Sequence, residues 1–241
     1  MNQCGNCKKR YETNVNFCST CGNQLLEKKS NVIDFIIAFY VSIIVFIGLS
    51  FFIYDGYKEN IWVEILVESL FISLVIGFSL VRRKEMLQLY KFPKINKGLL
   101  SLYILVTIVN SFLVYYGVEF VNSFINDVSL NSYESYLYLD YPFLWALIFI
   151  AILPPIFEEL AFRGFLFNLL TEVTSVKSTI IATSLLFALV HFSFISLIWI
   201  FPFGLFLGYL RFKYDSLWLP MLIHFIHNLC VLLVDYYVFN S

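Results

Sequence analysis

Two adjacent carboxylates and an arginine interrupt an apolar run: Pro154 to Gly164 reads PPIFEELAFRG, with Glu158, Glu159 and Arg163 inside it. A charged side chain near the bilayer centre costs roughly 2.5–3.5 kcal/mol on insertion scales, so such residues face a protein interior or a water-filled cavity. On a helix Glu159 and Arg163 are four apart and share a face, which suits an ion pair. Glu158 points about 100° away from Glu159. The pattern predicts that Arg163 compensates Glu159 while Glu158 faces something else. A carboxyl in a low-dielectric site without its own cation is a candidate general base.

The chain's three histidines, His191, His224 and His227, all lie in its apolar C-terminal part. His224 and Asn228 are four apart, so an imidazole and a carboxamide point into the same space as two donors. Phe187 stands one turn before His191 and is expected to pack beside it. Counted by rise along each span, Glu158, His191 and His224 fall within the middle third of the membrane, with His191 deeper than His224. His227 lies three residues from His224 on a neighbouring face and could share the site. Each feature has a bland alternative: a lone intramembrane histidine is more often a hydrogen-bonded helix contact, Asn228 could be glue between helices, and the Glu159–Arg163 pair could be purely structural. Their concentration in the last hundred residues favours an active site.

The elements that must position these groups are membrane helices. The chain has 241 residues, 60% hydrophobic and 20% aromatic with 14% charged, too apolar for a soluble domain of that length. A hydrocarbon core about 30 Å thick needs ~20 apolar residues per helix. Runs at 32–54, 61–81, 99–121, 142–170, 177–193, 195–211 and 216–238 meet or approach that length. The expected fold is an all-α polytopic transmembrane bundle of about seven spans, six to eight being compatible. The fourth span is long enough to bend at Pro154 and Pro155. Glu64, Glu68 and Glu119 read as interfacial acids without a role. No internal repeat or pair of broken helices marks a carrier.

Basic residues set the orientation, because short loops rich in Lys and Arg stay in the cytoplasm. Arg82, Arg83, Lys84, Lys91, Lys94 and Lys97 crowd one loop against the single acid Glu85, whereas 122–141 carries Asp127, Glu134 and Asp140 and no base. This places the N-terminus, Arg211 and Lys213 inside and the C-terminus outside a cell membrane. A net charge of -1 shows no basic excess of the kind that marks a nucleic-acid partner. The polar first 30 residues lack the pattern of a secretory signal.

Those residues hold four of the five cysteines. Cys4, Cys7, Cys18 and Cys21 form two Cys-x-x-Cys knuckles ten residues apart, a spacing that lets four thiolates close a tetrahedron around Zn²⁺. A head of this size buries too little apolar surface to fold alone, and metal binding supplies the missing free energy. A structural zinc ribbon over 1–30, joined to a bundle over 31–241, is the expected organisation. Two disulfides or a redox pair are disfavoured in a reducing cytoplasm. Four cysteine ligands leave no open position for catalysis. Cys230 reads as a small buried apolar residue.

With these residues in view, the chain resembles the CPBP intramembrane endopeptidases, also called the CAAX protease and bacteriocin-processing or ABI family. Three motifs match in order: EELAFR at 158–163, FALVH at 187–191 and HFIHN at 224–228. The preceding proline, the Gly204 and Gly208 stretch and SLWLP at 216–220 also resemble the family, over about 142–230. The resemblance implies that Glu158 and His191 activate a water against a peptide carbonyl, that His224 and Asn228 stabilise the oxyanion, and that Glu159 and Arg163 hold the first motif in place. It implies no catalytic metal, in keeping with the lack of a His-Glu-x-x-His pattern.

The function expected is therefore a membrane-embedded peptidase acting on a membrane-anchored or membrane-proximal polypeptide, whether the C-terminal peptide of a lipidated protein or a bacteriocin-like peptide. Two alternatives stand beside it. One is a non-catalytic scaffold or immunity protein whose zinc head recruits a protein partner, and the other is an intramembrane zinc enzyme using Glu158, His191 and His224 as ligands.

Overall fold

A computed structural model describes residues 2–4, 6–11, 20–21, 30–57, 59–125, 131–191 and 194–241. The described head contains a two-stranded antiparallel ribbon, β1 (Asn2–Gln3) against β2 (Arg10–Tyr11). The rest is helical: α1 (Ser30–Gly56), α2 (Ile61–Val81), the short α3 (Arg83–Gln88) and α4 (Lys97–Ile125). A composite helix then runs through α5 (Pro142–Ala146), α6 (Leu153–Glu159) and α7 (Phe167–Val173), and α8 (Val176–Leu189), α9 (Phe194–Tyr214) and α10 (Trp218–Asn240) complete the chain. The protein is an all-α membrane bundle with a small cysteine-bearing head.

Among the described residues, five helical stretches are long and apolar enough to cross a membrane: Val32–Tyr54, Ile61–Val81, Lys97–Phe124, Pro142–Val173 and Trp218–Asn240. Their outer faces are greasy, with Phe51, Phe52 and Trp62 each more than 70% exposed, as a lipid-facing surface requires. The fifth expected span is corrected in length. It was expected to reach residue 193, but α8 is 14 residues long and stops at Leu189. At 1.5 Å per residue it spans about 21 Å, short of the ~30 Å hydrocarbon core. The chain turns there so that α9 packs back along α8, and His191 consequently sits in the turn after α8, exposed, and not within a continuous span.

Two ends of the bundle are chemically distinct. At one, Lys91 and Arg211 converge on Asp215 at 2.6 and 2.9 Å, and the Trp218 indole donates to the Tyr90 carbonyl. The basic loop after α2 and the turn between α9 and α10 therefore share one end. At the other, the Ser132 amide donates to the Asp235 carboxylate at 3.0 Å and the Asn131 side chain to the Asp235 carbonyl, tying the acidic loop to the end of α10. Between the ends, α4 packs along α10, and the composite helix lies against α1, α2, α8 and α10.

Candidate active site

The composite helix is locally unwound on both sides of α6, with π-helical turns at Leu147–Ile152 and Leu160–Leu166. The sequence supplies a reason for the first. Pro154 and Pro155 have no N–H, so the Ile150 carbonyl loses both its i+4 and its i+5 partner. The Asn228 side chain on α10 replaces them, its Nδ2 donating to the Ile150 oxygen at 2.9 Å. That bond fixes the carboxamide and leaves its second N–H free of this task.

Glu159 and Arg163 are both fully buried, and Arg163 donates to Glu159 Oε1 at 2.9 Å. The guanidinium also reaches the Gly204 carbonyl at 3.1 Å and lies 4.2 Å over the Phe187 ring. A Cβ at Gly204 would stand 3.2 Å from Arg163 Nη2 and 3.1 Å from Ser184 Cβ, so a larger residue would press on both as α9 approaches. Glu159 Oε1 has a second partner, His224 Nδ1 at 3.0 Å. A carboxylate only accepts, so Nδ1 carries the proton and the other imidazole nitrogen is turned elsewhere. His224 Nε2 lies 3.9 Å from Glu158 Oε2.

Glu158 is the unmatched member of the pair. Its Oε2 is buried and makes no hydrogen bond among the described residues. The carboxylate borders a cavity of about 440 Å³ whose wall also includes Phe187, His191, His224, His227 and Asn228. Residues from the composite helix, from the turn after α8 and from α10 thus meet at one space. His191 Nδ1 lies 2.7 Å from the Phe187 carbonyl, an acceptor only, so its proton is on Nδ1 and Nε2 has a free lone pair. The Phe187 ring stands edge-on to both His191 and His224, at 5.0 and 5.6 Å between centroids. Phe203 of α9 closes the other side of His224 at 5.8 Å.

Two groups at this site escaped sequence reasoning. Glu68 of α2, assigned no role there, borders with Glu158 and Tyr54 a second cavity of about 390 Å³, and its Oε1 is buried without a hydrogen-bond partner among the described residues. Glu158 therefore stands between two cavities. The available signal was simply a carboxylate eight residues into an apolar span. Ser111 of α4, the other omission, meets His227 Nδ1 at 2.9 Å. A serine inside a helix carries no comparable signal. Glu64, by contrast, is half-buried and accepts a hydrogen bond from the Tyr54 hydroxyl at 2.8 Å.

In the head, the Sγ atoms of Cys4, Cys7 and Cys21 lie within 4.8 Å of one another, and Cys4 and Cys21 are 3.6 Å apart. A tetrahedron of ~2.3 Å metal–sulfur bonds has edges of about 3.8 Å, so this donor set fits a thiophilic ion. The Cys7 amide points at Cys4 Sγ at 3.5 Å, and the ribbon closes through Cys4 N–H to the Lys9 carbonyl at 2.8 Å. Cys18, the fourth expected ligand, lies outside the described residues. Cys230 is half-buried on α10 and not fully enclosed as expected.

Residues 140–230 match the family model described as type II CAAX prenyl endopeptidase Rce1-like. No curated protein and no solved structure matches the chain.

Proposed function

From the match of residues 140–230 to the type II CAAX prenyl endopeptidase Rce1-like model, we propose that the chain is an intramembrane endopeptidase using glutamate-activated water. The observation that carries the reading is the cavity shared by Glu158, His191, His224 and Asn228, reached from positions up to seventy residues apart. The substrate class is a membrane-anchored or membrane-proximal polypeptide, because the cavity lies among helices that face lipid.

In this reading a water between Glu158 and His191 gives a proton to the Glu158 carboxylate as its oxygen attacks the peptide carbonyl. Neutral His191 carries its proton on Nδ1, donated to Phe187, and its Nε2 accepts the water's second hydrogen bond. Negative charge grows on the carbonyl oxygen and is met by His224 and by the second N–H of Asn228. Glu159 holds His224 through Nδ1, leaving Nε2 to donate when it carries a proton. The intermediate then collapses, the C–N bond breaks, and Glu158 returns its proton to the departing amine. General-base help supplies about 10²–10⁴-fold and each oxyanion donor about 10²–10³-fold.

The basic end of the bundle faces the cytoplasm by the positive-inside rule, which puts the N-terminus inside and the C-terminus outside. The head over 1–30 is a separate zinc-binding unit whose four ligands are Cys4, Cys7, Cys18 and Cys21, with a structural and not a catalytic ion.

The test compares membrane peptides from cells making the wild type with those from cells making Glu158→Gln at equal level. A product that vanishes, or a precursor that accumulates, with the variant supports the peptidase. Identical profiles with function retained would replace it with the scaffold reading.

A further inference from the structure

His227 is not one of the residues needed to describe water attack, yet it lines the same cavity as Glu158, His191, His224 and Asn228. Its protonation pattern follows from a chain of contacts on α4. Ser111 Oγ lies 2.8 Å from the Thr107 carbonyl oxygen. Two oxygens that close need a hydrogen between them, and a carbonyl has none to give, so the serine proton is spent there. The contact of 2.9 Å between Ser111 Oγ and His227 Nδ1 then needs its own hydrogen, which only the imidazole can supply. His227 is therefore protonated on Nδ1, and its Nε2 presents a lone pair with no hydrogen-bond partner among the described residues. The ring is clamped by Phe203 at 4.5 Å, and Ser111 is buried, so this orientation is held from two helices.

The two imidazoles of α10 are thus held in the same tautomer by unlike partners. In the reading above the outer nitrogen of His224, anchored by a carboxylate, is the donor to the oxyanion, whereas that of His227, anchored by a neutral hydroxyl, offers an acceptor. A bound polypeptide needs both. In an extended chain the C=O and N–H of one residue point to the same side, as in the paired residues of a β-ladder. Donors placed for the attacked carbonyl leave the N–H of that same residue facing the same wall, where a buried donor without a partner is costly.

We propose that His227 is a substrate-contacting residue whose Nε2 accepts a hydrogen bond from the backbone N–H of the residue that supplies the scissile carbonyl, setting the register of cleavage. The proposal rests on the peptidase reading. It assigns Ser111 as the positioning residue that fixes the tautomer, and Phe203 as the clamp.

The experiment measures kcat/KM for the full chain in bilayers with a peptide that the wild type cleaves. A second substrate replaces that one N–H by an ester oxygen, keeping the scissile amide, and products are identified by mass. The wild type is expected to lose roughly 10- to 100-fold on the ester analogue, the range for an unmatched buried hydrogen-bonding group. His227→Phe, which keeps the ring packing, is expected to lose as much on the parent peptide and to treat the two substrates alike. Wild-type kcat/KM on the parent peptide in this variant, or losses that simply multiply, would overturn the assignment. Should His227→Phe not fold, Ser111→Ala is read instead, with a loss of about 3- to 10-fold on the parent and a smaller gap between the substrates. An unchanged gap in Ser111→Ala also overturns it. Glu158→Gln separates the two claims: if it cleaves normally the peptidase reading fails, and if it is dead while His227→Phe is fully active only the present inference fails.

Discussion

Arg163 and Arg211 are both buried, and each holds a carboxylate four residues away at 2.9 Å, but the two carboxylates stand in unlike surroundings. Arg163 and Glu159 are wholly enclosed at mid-bundle, whereas Asp215 leaves 63% of its side chain exposed at the basic end. Glu159 passes its charge on to His224, while Asp215 passes its own to Lys91 at 2.6 Å in solvent. The same sequence spacing thus gives a surface tie in one place and, in the other, an anchor for an imidazole at the cavity. What separates them is the burial of the carboxylate. An enclosed ion pair costs desolvation that its own attraction barely repays, so its presence is better explained by what it positions than by stability alone.

Breaking the two pairs should give very different losses. Arg163→Met leaves Glu159 charged and enclosed, and thermal unfolding in detergent should show a loss of about 3–5 kcal/mol. A smaller effect comes from filling the space beside the same guanidinium. Gly204→Ala drives a methyl against Arg163 and Ser184, and should cost about 1–3 kcal/mol by the same assay.

Asp215→Asn should cost only ~0.2–1 kcal/mol, since the carboxylate is largely exposed and screened. Its pH dependence has a definite sign. Burial pushes the Asp215 carboxyl up, but hydrogen bonds and charge from Lys91 and Arg211 outweigh it and hold the group below its ordinary value of 3.8. A depressed folded value means that the contribution is present above the ordinary aspartate range and is lost as pH falls through the folded value. Melting curves of Asp215→Asn should therefore converge with those of the wild type at low pH. The smallest effect on the bundle is expected at the head: Cys4→Ser should lower bound zinc by one equivalent per chain, measured by elemental analysis, with little change in bundle unfolding.

Much of this contrast was legible before any coordinates, because it depends on local period. Apolar runs, basic loops and the four-residue spacing of Glu159 and Arg163 all follow from helix geometry, and the helices begin and end close to the expected runs. The exceptions are instructive. The turn that cuts α8 at Leu189 depends on how α9 packs back, which no local pattern encodes. The partnership of Asn228 with the carbonyl stranded by Pro154 and Pro155 joins positions 78 apart in sequence. Ser111 beneath His227 and Glu68 across from Glu158 arise in the same way, from helices outside the motif-bearing segment. Which carboxylate would be matched was readable from spacing, but what the unmatched one would face was not.

Adjacent carboxylates with opposite surroundings give the most direct test. Among the described residues Glu158 has no hydrogen-bond partner to lose at its buried oxygen, whereas Glu159 has two at one of its own. The decisive measurement is peptide cleavage by purified Glu158→Gln, made beside its unfolding temperature. The account predicts that turnover falls at least ~10³-fold while the unfolding temperature stays within a few degrees of wild type. Cleavage at the wild-type rate, or a loss accompanied by unfolding, would contradict it.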